Sequence, residues 1–132
     1  MIIGIGTDLA DLPRIADLLA LPAGRRFMER ILAPEERLLA EQRKARLVEF
    51  VAGRFAAKEA VSKAFGCGIG RQIGFHDMIV TNDDSGKPVC TVSAAALERL
   101  GLADGVRIHL SITHTGGMAG AFAVVEDIGG RR

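Results

Sequence analysis

The period of the apolar pattern changes part-way along this 132-residue chain, and that change restricts the fold more than any other feature. Before residue 66 the pattern is mostly helical. Residues 2–6 are the exception: isoleucine dominates them and the glycines let another backbone come close, which predicts a short buried strand. Asp11 reads as the N-cap of a helix with Pro13 in its first turn, running to Leu21, where Pro22 stops it. A second helix begins near Gly24 and covers residues 25–32. A third opens at Pro34, with Glu35 and Glu36 at the positive end of its dipole. The strongest helical segment is residues 48–65, rich in alanine and closed by Gly66 just past its C-cap.

Beyond Gly66 the composition turns to strands. Residues 73–81 predict one strand, residues 82–88 a turn-rich connection, and residues 89–92 a second strand. Ser93 caps a short helix ending at Gly101. Val106, Ile108, Leu110 and Ile112 then alternate with polar residues, as a half-buried strand requires, and Gly116-Gly117 turns it into a hairpin partner at residues 119–125. First-half helices packed on an antiparallel sheet define an α+β class, and the length suits a single domain spanning residues 1–132.

With 48% apolar and 25% charged residues the composition is that of a globular protein. No apolar run reaches the roughly 20 residues of a membrane span and the N-terminus lacks a basic leader, so a cytoplasmic protein without a membrane partner is expected. Cys67 and Cys90 have no metal-binding spacing and read as free thiols. Tryptophan and tyrosine are absent and the six phenylalanines are scattered, which argues against a nucleic-acid stacking surface. Net charge is +1, but residues 14–71 carry twelve basic against seven acidic side chains. That bias fits either an acidic or phosphorylated partner or simply solvated, arginine-rich helix faces.

On a helical wheel Val48, Ala52, Phe55, Glu59, Ser62 and Lys63 fall within about 100° of one another, which sets Glu59 in an apolar stripe. A carboxylate there must be paired, hydrogen-bonded or metal-bound, and an ion pair with Lys63 one turn on is the simplest partner. Asp8, placed just beyond the first strand, suits either a magnesium ligand or an Asx-turn. Asp8, Glu59 and Lys63 together would supply two metal ligands and a phosphate-facing cation. Gly66, Gly68 and Gly70 permit close backbone approach to a phosphate but follow a helix C-terminus, whose partial charge has the wrong sign for an anion. His114 ends the apolar face of its strand, as a structural or a ligand-binding histidine. No nucleophile elbow or zinc-protease motif occurs.

Taken together, Gly4-Ile5-Gly6-Thr7-Asp8 with Arg14-Ile15, Phe27-Met28-Glu29-Arg30-Ile31-Leu32, Ala52-Gly53-Arg54-Phe55-Ala56-Ala57-Lys58-Glu59-Ala60 with Lys63-Ala64, Gly66-Cys67-Gly68-Ile69, Gly86-Lys87-Pro88 and Leu110-Ser111-Ile112-Thr113-His114-Thr115 resemble the holo-acyl-carrier-protein synthase family, in order along the whole chain. The resemblance implies a 4′-phosphopantetheinyl transferase of fatty acid biosynthesis. Such an enzyme moves the phosphopantetheine of coenzyme A to a serine of apo acyl carrier protein and releases adenosine 3′,5′-bisphosphate. It further implies a homotrimer with active sites between subunits, and Mg2+ held by Asp8 and Glu59. Lys63, Arg54, Gly66 and His114 would meet coenzyme A, and Arg14, Arg25, Arg26 and Arg30 the acidic carrier protein. The general base stays open between a water, activated by the metal or by Glu59, and Glu36. Cys67 departs from the pattern, standing where threonine is expected. A magnesium-dependent nucleotide-binding module without transfer activity is the alternative on the same carboxylates, and a purely structural trimerising domain is a third.

Overall fold

A computed structural model describes residues 1–129. Strand β1 (Ile2–Asp11) leads into α1 (Leu12–Ala20), α2 (Gly24–Ile31), α3 (Pro34–Glu41) and the long α4 (Leu47–Ala64). A hairpin of β2 (Met78–Asn82) and β3 (Pro88–Val92), a short α5 (Ala94–Arg99) and a second hairpin of β4 (Val106–Thr115) and β5 (Met118–Asp127) complete the chain. The main sheet is antiparallel in the order β1-β5-β4, so the first and last strands of the chain pair along their whole length. This is the expected α+β class.

Small residues decide how closely α4 lies on that sheet. The inner face of β1 carries Gly4, Gly6, Asp8 and Ala10, and that of β5 carries Ala119, Ala121, Ala123 and Val125. A β-carbon on Gly4 would stand 1.7 Å from the carbonyl oxygen of Ala64, and one on Gly6 1.9 Å from that of Ala60. The strand backbone therefore touches the helix backbone. The other sides of α4 are covered by α1, α2, α3 and the β2–β3 hairpin, so most of the helix is buried around its circumference.

Several expectations need correction. β1 runs to Asp11 instead of stopping at Gly6, because β5 supplies hydrogen-bonding partners as far as Met118. Only Gly6 and Ala10 in it are buried; Ile5 and Leu9 point away from α4 and are 59% and 69% exposed. Asp11 occupies the N-cap of α1 without a side-chain cap bond. Residues 73–81 are strand only from Met78, since a 3₁₀ turn at Phe75–Asp77 precedes it. Ser93 does cap α5, accepting from the Ala96 N–H at 3.1 Å, and Cys67 and Cys90 are free thiols.

Asp77 holds that 3₁₀ turn to α5, accepting hydrogen bonds from the Gly74 N–H, the Ser93 hydroxyl and the Arg99 guanidinium at 2.7–2.9 Å. Burial alone would raise its pKa, but these donors hold the carboxyl below its ordinary value. The resulting stability is complete above the unfolded-state pKa and is lost as pH falls through the folded one. Asp77→Asn is expected to lower the unfolding free energy by about 1–3 kcal/mol at neutral pH. In urea titrations the gap to wild type should close below about pH 4.

Candidate active site

The period of two along β1 turns Asp8 toward α4, on the same face as Gly6 and Ala10. It lies within the strand, opposite Ala121, and not in a turn beyond it. There it meets the last two turns of α4. The Lys63 ammonium donates to Asp8 Oδ1 at 3.0 Å and to the Thr7 carbonyl at 3.1 Å, so Lys63 pairs with Asp8 and not with Glu59.

Glu59 is half-buried on α4, on a face it shares with the half-buried Val48 and Phe55 and the exposed Lys63. The expected stripe is only partly covered: Ala52 and Ser62 are fully buried, Val48, Phe55 and Glu59 are half-buried, and Lys63 is exposed. Partial burial first, then the nearby Asp8 charge, raise the Glu59 pKa, while Lys63 opposes them. Two carboxylates that repel each other in a half-desolvated corner fit a hard divalent cation. Among the described residues no cluster of three or more His, Cys, Asp or Glu could hold a metal. A two-carboxylate site leaves remaining positions for water and phosphate oxygens, which is the habit of Mg2+.

Glu59 opens into a groove of about 340 Å³ walled by Phe27, Arg30, Ile31, Phe55 and Phe75. Glu36 does not reach it. That carboxylate is fully buried against Lys58, which removes it as a general base. At the end of α4 the N–H groups of Gly66, Cys67 and Gly68 all turn back to α4 carbonyls, so helix capping uses the donors an anion would need. Gly66 stands at φ +87° with open space where a side chain would be.

Arg54 and His114 lie elsewhere. Arg54 is five residues before Glu59, about 140° around the helix. It is 6% exposed, stacks on Phe50 at 4.4 Å and donates to Asn82 Oδ1 at 2.9 Å, while its Nε has no hydrogen-bond partner among the described residues. Burial lowers its pKa to about 10. His114 sits 3.1 Å from the Glu49 carbonyl through Nε2 and lines the same cleft, together with Arg43, Arg46 and Asn82. The last three were not singled out from sequence; the close spacing of Arg43 and Arg46 was the available signal.

The arginines expected to meet a partner divide. Arg14 shares a face of α1 with Leu18, and Leu18 with Leu21 just past the helix end forms a groove with Arg26 and Arg30 of α2. Arg25 faces another groove and lies 3.5 Å from Glu29.

The chain belongs to the 4′-phosphopantetheinyl transferase superfamily, whose family model matches residues 4–121. Within that superfamily the chain belongs to the holo-acyl-carrier-protein synthase family. It is 47% identical over 130 residues to holo-[acyl-carrier-protein] synthase of Geobacillus kaustophilus, covering 98% of this chain and 92% of that protein. Its structure resembles that of a holo-(acyl-carrier-protein) synthase from Bacillus anthracis in complex with CoA (3′,5′-ADP), with TM-score 0.82 and 47% identity, covering 96% and 98% of the two chains. The Neisseria meningitidis holo-[acyl-carrier-protein] synthase gives TM-score 0.84 at 40% identity, covering 96% and 99%.

Proposed function

We propose that this chain is one catalytic domain that transfers the 4′-phosphopantetheine of coenzyme A to a serine of apo acyl carrier protein, releasing adenosine 3′,5′-bisphosphate. The observation that carries this reading is the meeting of Asp8 with Lys63 and with the charge of Glu59, which lines an open groove. Asp8 and Glu59 would hold Mg2+, which when bound supplies positive charge to the pyrophosphate. Lys63 holds Asp8 in place and faces the phosphates, and Gly66 leaves their path open. Glu59 is the acceptor for the serine proton, directly or through a water. The product supports fatty acid biosynthesis in the cytoplasm; no described helix is long and apolar enough to cross a membrane.

A homotrimer completes the site. Arg54 and His114 are on the wrong side of α4 to serve the Glu59 groove of their own chain, so they meet the coenzyme A phosphates bound at a neighbouring subunit. The outer sheet face, where Ile5 and Leu9 stand beside a 49% exposed Phe122, supplies the apolar surface for that assembly. Arg14, Arg26 and Arg30 face the acidic carrier protein, with Arg25 at the margin.

Incubation with coenzyme A, Mg2+ and an apo carrier protein, followed by mass spectrometry, tests the function. A carrier protein heavier by one phosphopantetheine is expected; coenzyme A binding without transfer would favour the nucleotide-binding alternative. Lys63→Ala should reduce kcat by an amount equivalent to about 2–4 kcal/mol, the scale of a lost preorganised charge-stabilising donor. A change confined to KM for the carrier protein would remove Lys63 from the phosphates. Reversing the charges of Arg14 and Arg26 should slow carrier-protein association while sparing coenzyme A, with the penalty shrinking as salt rises. Equal loss for both ligands in titrations at low and high ionic strength would reject the docking role.

A further inference from the structure

Lys58 and Glu36 form an ion pair with no exposed surface, and the chemistry above uses neither residue. Burial drives the Lys58 pKa down and the Glu36 charge opposes that. Such a pair is poor evidence for stability, because desolvation offsets its attraction and apolar residues of similar volume often serve as well. Its other hydrogen bonds give it a different meaning. The Lys58 ammonium also donates to the carbonyls of Ile31 at 2.7 Å and Phe75 at 3.0 Å. Those two residues belong to the end of α2 and to the 3₁₀ turn before β2, and both wall the groove that holds Glu59.

Glu36 is linked to the second cleft through β2. Its carboxylate accepts from the Ala33 N–H at 2.8 Å and from the Val80 N–H at 2.7 Å. Val80 lies in β2, whose last residue, Asn82, holds the Arg54 guanidinium. Lys58 itself sits on α4 between Arg54 and Glu59. One buried pair is thus bonded to two walls of the Glu59 groove and, two residues along β2 from Asn82, to the strand that carries a wall of the second cleft.

We propose that Lys58 and Glu36 are positioning residues for the transfer reaction, setting Ile31 and Phe75 around Glu59 and, through β2, Asn82 around Arg54. The inference rests on the transferase reading above. An apolar pair could fill the same volume, but it could not hold two carbonyls and two amides at fixed places.

The test replaces both charges at once, with Lys58→Met and Glu36→Gln in one chain, so that neither is left buried and alone. The expected result is wild-type far-ultraviolet dichroism, a kcat at least tenfold lower, coenzyme A affinity at least threefold weaker by calorimetry, and KM for the carrier protein within twofold of wild type. A folded double variant with wild-type kcat and coenzyme A affinity overturns the role. So does a rise in carrier-protein KM in step with the fall in kcat, which marks general loosening. Should the double variant not fold, Lys58→Arg decides: it keeps the charges paired, but a planar guanidinium cannot aim donors at Glu36, Ile31 and Phe75 as an ammonium does. A kcat lowered threefold or more at unchanged carrier-protein KM supports the role, and an unchanged kcat overturns it. Transfer by the wild-type chain is measured alongside. Its absence overturns the function and this role together, whereas wild-type transfer with unaffected variants overturns this role alone.

Discussion

Asp8→Asn and Glu59→Gln are each expected to reduce transfer at least a thousandfold at limiting Mg2+, a loss of about 4 kcal/mol of transition-state stabilisation. Each substitution keeps side-chain shape and removes one negative charge from a site with only two carboxylates to offer a cation. A cation that takes its other ligands from water and phosphate has no third carboxylate to fall back on. The two variants should differ in stability. Asp8→Asn leaves Lys63 without its ion-pair partner, although that lysine is half exposed and the penalty is small. Glu59→Gln relieves the burial of a charge and its repulsion by Asp8, which together raise the Glu59 pKa, so its unfolding midpoint should equal or exceed that of wild type. Mass spectrometry of the carrier protein over time, with urea unfolding of each variant, reads both effects. Wild-type turnover in either variant at limiting Mg2+ would remove the cation from these residues.

What could be read from sequence was whatever depends on short-range pattern. The long helix, its Gly66 stop, the Ser93 cap and the β4–β5 hairpin each follow from a few neighbouring residues, and each is present. The parity of β4 also placed His114 on the inner face, where it meets the Glu49 carbonyl. The rest depends on partners distant in the chain. Residues 7–11 have little strand character of their own; they extend because β5, more than 100 residues later, pairs with them. The wheel grouped the stripe on α4 but not its uneven cover, from the fully buried Ala52 and Ser62 to the exposed Lys63, since periodicity shows which residues share a face and not which neighbours crowd each of them. Glu36 and Lys58 are 22 residues apart on two helices, and only packing reveals that each neutralises the other.

Gly6→Ala is expected to lower the unfolding free energy by about 3 kcal/mol or more and to reduce transfer along with it. The added methyl would start 1.9 Å from the Ala60 carbonyl oxygen, a backbone atom that no side-chain rotation can move aside. Either β1 must lift or α4 must shift by more than an ångström, and Asp8 lies two residues further along the strand while Lys63 lies three beyond Ala60 on the helix. The contact that sets the stability therefore also sets the spacing of the carboxylates. The sign of the effect is diagnostic. An alanine that fitted the strand would stabilise the chain by about 0.4–1 kcal/mol by restricting the unfolded state. Gly70→Ala, where a β-carbon meets open space, supplies the control and should change stability by about 0.5 kcal/mol or less. Urea midpoints for the two variants, read with coenzyme A affinity, decide the matter: a Gly6→Ala chain as stable as the Gly70→Ala chain would show that strand and helix are not in backbone contact.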